Sequence, residues 1–249
     1  MRVLLIGGTT EAGQMATALH KAGIDAVYSY AGRTLSPVAQ PIPTRSGGFG
    51  GVAGLVTYLT AEKITHVIDA THPFAAGMSR NAVAACAQSV IPLIALERPA
   101  WTATDGDLWT SVADIDAAVA VLPEEPWTVF LAIGRQTLDA FAAKPQHHYI
   151  LRLVDPPDRP STLPHAKVIL ARGPFDLAGD TALMQDHHID LIVAKNAGGA
   201  GAEAKLAAAR DLGLPVIMID RPTLPDRRSV AMVAEVLAWL HQTPADLGV

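Results

Sequence analysis

A single cysteine in 249 residues, Cys86, rules out a disulfide within the chain and any thiolate cluster for a metal. A lone thiol fits a reducing compartment, so a cytoplasmic protein is expected. Basic residues are also short, with 19 Lys and Arg against 24 Asp and Glu and a formal net charge of −5. Such a balance offers no cation-dense face, and no nucleic-acid partner is expected. Apolar runs stay below the roughly 18 residues of a membrane span, and the first is too short for a secretory signal, so no membrane partner is expected either. Aromatic residues make up only 5% of the chain, yet 50% of it is hydrophobic. The core must therefore be Ala, Val, Leu and Ile, which suit parallel sheets covered on both faces.

The chain is organised around its opening, MRVLLIGGTTEAG. Val3 to Ile6 is an apolar run of strand length, stopped by Gly7 and Gly8, and Ala12, Met15, Ala16 and Leu19 then recur at helical spacing. Strand, tight turn and helix in this order make an anion site, because the first helical N–H groups and the positive end of the helix dipole point past the strand. Gly7, Gly8, Thr9, Thr10 and Glu11 are the expected phosphate-binding residues, the glycines by open backbone and the threonines by their hydroxyls. The dinucleotide fingerprint G-x-G-x-x-G is incomplete, since its two frames read Gly7, Thr9, Ala12 and Gly8, Thr10, Gly13. A turn that merely joins strand to helix would look the same.

The pattern then occurs twice. VLLIGG resembles VFLAIG, Phe49 of SGGFGGVAGL falls where Phe175 of RGPFDLAGDT falls, and ITHVIDATH matches IDLIVAKNA. Pro92 of IPLIALERPAW matches Pro215 of LPVIMIDRPTL, and each half closes with an amphipathic helix, roughly 112–122 and 230–240. The reading is an α/β protein of two similar Rossmann-like domains, each with about five mostly parallel strands and helices on both faces. The expected division is 1–98, a linker and helix over 99–126, and 127–249. Right-handed crossovers put the strand C-termini of each half on one edge, where ligands bind. The active site is expected in a cleft between the two edges.

The residues at those edges differ in character. In the first half, strand two ends at Gly32-Arg33-Thr34, with no acid for a ribose hydroxyl. Arg33 beside a hydroxyl suits a 2′-phosphate and so favours NADPH over NADH; a solvated arginine is the alternative. Ser46, Gly47 and Gly48 follow strand three, and Thr71, His72 and Pro73 follow strand four, all on the cofactor side. His72 is the one histidine placed at the site. The pairs His147–His148 and His187–His188 point apart on strand or helix, and no metal is expected. The second half ends its strands near Arg135, Arg152, Arg172 and Lys195-Asn196, with Gly198 and Gly199 opening a helix. These are expected to form a receptor for carboxylates or phosphates, with at least one of them pointing to solvent instead. No tyrosine has a lysine four residues on, which removes a short-chain dehydrogenase.

GGTTEA, AGRT, GGFGG, DATHPFA, LERPAW, IGRQ, LRLVDPP, ILARGPF and AKNAGGAGAEAKL together resemble the precorrin-6A reductase family of cobalamin biosynthesis, over nearly the whole chain. Asn196-Ala197 departs from the Asn-Ser that the resemblance would place there. The resemblance implies an NADPH-dependent reduction of one double bond of precorrin-6A, giving precorrin-6B, on a tetrapyrrole bearing several carboxylates. Lys195 and His72 are the candidate catalytic residues, and the proton could come from either or from water. Other enzymes of the corrin pathway are possible partners. A non-enzymatic NADP-sensing or tetrapyrrole-binding module would share the same binding apparatus.

Overall fold

The computed structural model describes residues 1–32, 38–156 and 162–242. Short β-branched runs alternate with alanine-rich helices, giving β1 (Arg2–Ile6), α1 (Thr10–Lys21), β2 (Asp25–Tyr30), β3 (Thr44–Ser46) and α2 (Gly51–Ala61). Next come β4 (His66–Asp69), α3 (Ala76–Ser89), β5 (Leu93–Leu96), β6 (Leu108–Val112), α4 (Ile115–Ala120), β7 (Thr128–Ala132) and β8 (His148–Leu153). The chain closes with β9 (Ala166–Leu170), α5 (Leu177–Asp186), β10 (Leu191–Lys195), α6 (Ala204–Leu212), β11 (Pro215–Ile219), β12 (Ser229–Val230) and α7 (Val233–Gln242).

Two six-stranded sheets result, ordered β12-β5-β4-β1-β2-β3 and β6-β11-β10-β7-β8-β9. Every strand pairing among the described residues is parallel. Alternation along β1 sends Val3 and Leu5 into the core shared with Met15, Leu19 and Trp239. Leu4 and Ile6 go to the opposite core, with Leu55, Leu59 and Ala82. Helices thus cover both faces, as expected. Strand order reverses between β1 and β4 in one sheet and between β7 and β10 in the other, and ligands of open α/β sheets sit at such points.

The structure corrects the sequential division of the chain. One compact unit is 1–99 with 223–249, and the other is 100–222. The stretch expected to be a linker supplies β6 and α4 to the second unit, where β6 pairs with β11 from Leu108↔Pro215 to Val112↔Ile219. The segment expected to finish the second half instead gives β12 to the first, pairing Ser229↔Ala95 and Val230↔Leu96. Val236, Trp239 and Leu240 of α7 are buried in the core of α1 and β1. Each sheet thereby gains a sixth strand.

His147, one of the histidines set aside as a metal ligand, is fully buried, and its Nδ1 accepts from the Trp127 N–H at 3.1 Å. Burial first, and then the charge of Lys144, push its pKa below the ordinary histidine value, while the Pro123 carbonyl and Glu124 oppose this in part. In the unfolded chain the ring takes a proton near pH 6.5, whereas in the folded one it resists until the pH is lower. Below that pH the unfolded state binds more protons, so acidification from about pH 7 to 5 should lower the melting temperature. His147→Gln should flatten that dependence; an unchanged slope would exclude His147 as its source.

Candidate functional site

β1 ends at Ile6 and turns through Gly7 and Gly8 into α1. A Cβ on Gly7 would lie 2.3 Å from the Tyr28 ring, so this glycine exists to let the sheet close. The Gly7 N–H donates to the Ser29 carbonyl at 3.0 Å and the Gly8 N–H to the Tyr28 hydroxyl at 2.8 Å. Burial pushes the Tyr28 phenol far above its usual pKa, and the acceptor is a neutral hydroxyl. Gly8 has φ +128°, and a Cβ on it would meet nothing within 4 Å. Its N–H is used within the fold, and the space above its backbone is open.

Thr9 caps α1: its Oγ1 accepts from the Ala12 N–H at 3.1 Å and donates to the Ala70 carbonyl at 2.9 Å. That hydroxyl ties the loop after β1 to the loop after β4 and is not a spare donor, contrary to expectation. Thr10 is exposed, and the first amides of α1 precede any intrahelical bond. Glu11 is held by Arg98 at 2.7 Å, the side chains 21% and 17% exposed. The pair offsets a carboxylate that would otherwise repel an anion at this helix end.

The Arg33 position lies outside the described residues. Beyond β3, the exposed Ser46 leads into Gly47 and Gly48, and the Gly47 N–H donates to the Tyr30 carbonyl at 3.0 Å. The turn is held from within by Arg45, which donates to Ser29 Oγ at 2.7 Å and the Gly47 carbonyl at 2.9 Å. Its guanidinium stacks over Phe49 at 4.1 Å. The sequence reading places Arg45 at the head of this turn without giving it a role.

β4 delivers Asp69, 2% exposed, to the edge. Its Oδ1 accepts from Thr71 Oγ1 at 2.7 Å and from the Thr71 N–H at 3.1 Å, and its Oδ2 from Arg227. Arg227, 8% exposed, also donates to Glu97 at 2.8 Å. Neither Asp69 nor Arg227 was expected at the site; the signals were Asp69 in DATHPFA and Arg227 in PDRRSV. His72 follows, exposed, with Nδ1 accepting from the Phe74 N–H at 3.2 Å, so its neutral form carries the proton on Nε2. Pro73 is buried and carries the turn towards α3.

In the second unit, two expected substrate residues are otherwise engaged. Arg152 is 8% exposed, ion-paired with the buried Asp180 and stacked over Phe175 at 3.7 Å. It sits inside β8, so its side chain goes to a sheet face and not to the edge. Asn196 spends both ends of its amide on the backbone of Trp101: Oδ1 accepts from the N–H at 2.8 Å and Nδ2 donates to the carbonyl at 3.0 Å. Trp101 Nε1 also donates to the Gly199 carbonyl at 3.1 Å, fixing the turn in which Gly198 and Gly199 adopt φ of +69° and +76°. These contacts give Arg152 and Asn196 structural partners within the second unit.

Lys195 closes β10, its Nζ 3.5 Å from Thr137 Oγ1, and burial pushes its pKa below the ordinary lysine value. Arg135 is exposed after β7, and Arg172 is about half exposed, 3.8 Å from Asp155. These three basic residues stand near the strand ends of the second sheet. Among the described residues no group of three His, Cys, Asp or Glu could hold a metal, and no helix is long and apolar enough to cross a membrane. Burial lifts the Cys86 thiol to about 12, which makes it unreactive.

Residues 2–241 match the family model described as precorrin-6x reductase CbiJ/CobK. A precorrin-6A reductase of Rhodobacter capsulatus is 63% identical over 239 residues, covering 96% of this chain and 95% of that protein. The precorrin-6A reductase of Mycobacterium tuberculosis is 41% identical over 245 residues, with 98% and 99% covered. A cobalt-precorrin-6A reductase of Priestia megaterium is 28% identical over 253 residues, with 97% and 99% covered. A solved structure of a CobK precorrin-6A reductase superposes with a TM-score of 0.95 at 61% identity over the whole of both chains.

Proposed function

Because the chain belongs to the precorrin-6x reductase family, we propose that it reduces one double bond of precorrin-6A with NADPH in cobalamin biosynthesis. The observation that carries this is 63% identity, over 96% of the chain, to a precorrin-6A reductase. Relatives named for the cobalt-containing substrate are less similar, at 28%, which favours the cobalt-free macrocycle.

The first unit fits a dinucleotide. Gly8 leaves its backbone open at the switch point, and the first turn of α1 supplies amides for a pyrophosphate. Ser46, Gly47 and Gly48 border the ribose end, with Arg33 as the candidate partner of a 2′-phosphate. Thr71, His72 and Pro73 border the reactive end. When bound, NADPH supplies a hydride; the protein supplies orientation and excludes water.

On the second unit, Lys195, Arg135 and Arg172 pair with the acetate and propionate groups of the macrocycle. Lys195, its proton loosened by burial, is also our candidate donor of the proton at the carbon next to the one reduced. Lys195→Ala should lower kcat/KM for the macrocycle about tenfold or more, the worth of one charged hydrogen bond of roughly 1.5–3 kcal/mol. NADPH affinity should change little. Steady-state kinetics with each substrate varied, plus NADPH titration, checks this; unchanged macrocycle kinetics would remove Lys195 from the reaction.

A further inference from the structure

We infer that Arg227 is a positioning residue of the cofactor site, acting through Asp69 on the turn that carries Thr71 and His72. This rests on the proposal that the strand edge of the first unit holds NADPH. Asp69 is buried to 2% exposure, and its carboxylate accepts from both the Thr71 hydroxyl at 2.7 Å and the Thr71 amide at 3.1 Å, the hydroxyl also lying 3.3 Å from Ser79 Oγ. A carboxylate that deep needs hydrogen-bond donors and an opposite charge within reach, and Arg227 supplies both. Glu97 at 2.8 Å holds the other arm of the same guanidinium, so the fork cannot rotate away.

The route by which Arg227 arrives is part of the argument. It lies between residue 223, where the chain returns to the first unit, and β12, whose pairing with β5 sets the segment in place. The Glu97 N–H donates to the Val230 carbonyl at 2.9 Å, and the Ala95 N–H to the Arg228 carbonyl at 2.8 Å, so β12 brackets Arg227 against the end of β5. Without the guanidinium, the Asp69 carboxylate would lose the partner that holds it in place, and its hold on the Thr71 hydroxyl and amide would loosen. A shift of that turn would reach the loop after β1, because the Ala70 carbonyl is where Thr9 is tied.

The test is NADPH titration of the full chain with Arg227→Ala and Arg227→Lys, alongside melting curves. A rise of about ten- to a hundredfold in the NADPH dissociation constant is expected for Arg227→Ala, equivalent to about 1.4–2.8 kcal/mol of lost binding. Added guanidinium ion should recover much of that loss, a response that a general loss of stability would not give. Lysine keeps the charge but lacks the planar fork that holds two carboxylates in fixed geometry, so Arg227→Lys should fold and show an intermediate loss. If Arg227→Ala does not fold, the lysine variant decides. A folded variant with wild-type NADPH affinity, or a loss that guanidinium leaves untouched, overturns the inference. Failure of the wild-type chain to bind NADPH would instead overturn the cofactor assignment itself.

Discussion

Cutting the chain after Pro222 should unfold the first unit and spare the second. The segment removed carries β12 and α7, and α7 buries Val236, Trp239 and Leu240 to 0%, 5% and 1% exposure against α1 and β1. Burying a valine or leucine is worth about 1.5–3 kcal/mol, and deleting a buried tryptophan side chain costs about 3–5 kcal/mol. Their sum, roughly 6–11 kcal/mol, is as large as the whole stability of a typical domain. Arg227 would go as well, leaving Asp69 buried without its cation. Hydrogen exchange should show lost protection in β1, β2, β4 and β5, with protection kept in β7, β8, β10 and β11. The opposite distribution would mean that the closing segment serves the second unit after all.

Gly8→Val should abolish NADPH binding in a chain that still folds. At φ +128° a β-branched residue is strained by about 1–3 kcal/mol, and its side chain would occupy the open space over the backbone that a phosphate needs. Together these should weaken NADPH by roughly a hundredfold or more. Gly7→Ala, one residue earlier, should do the reverse. Its Cβ would meet the Tyr28 ring inside the sheet, so the melting temperature falls before the affinity does. Calorimetric titration paired with thermal melts separates the two. A folded Gly8→Val variant with normal affinity would take this turn out of the site.

The elements that make the edges were legible because their signals are local. Gly7–Gly8 after an apolar run, Pro73 after Thr71 and His72, and Lys195 at the end of a second such run each mark a strand terminus by composition alone. Exchange of the closing segments was not legible. A short strand followed by an amphipathic helix reads the same whichever sheet it joins, and the repeat suggested that each half kept its own. That assumption also hid Arg227, which looked like the far end of the other half.

Direction was the other limit. Arg152 and Arg172 both follow apolar runs, but Arg152 lies within β8 and drops onto Phe175 and Asp180, whereas Arg172 stands past β9. Strand parity separates them, and it needs the strand end to the residue. Asn196 sits at the expected edge and is still consumed, because Trp101 arrives from a part of the chain that no local pattern connects to it.

The most direct test of the central claim is the stoichiometric reaction of the full chain with NADPH and cobalt-free precorrin-6A under anaerobic conditions. The account predicts that NADPH absorbance is lost only when the macrocycle is present, one equivalent per macrocycle, with a product heavier by two hydrogens and a slower reaction with NADH. Binding of both ligands without oxidation of the nucleotide would contradict it, and would make the protein a binding module instead of a reductase.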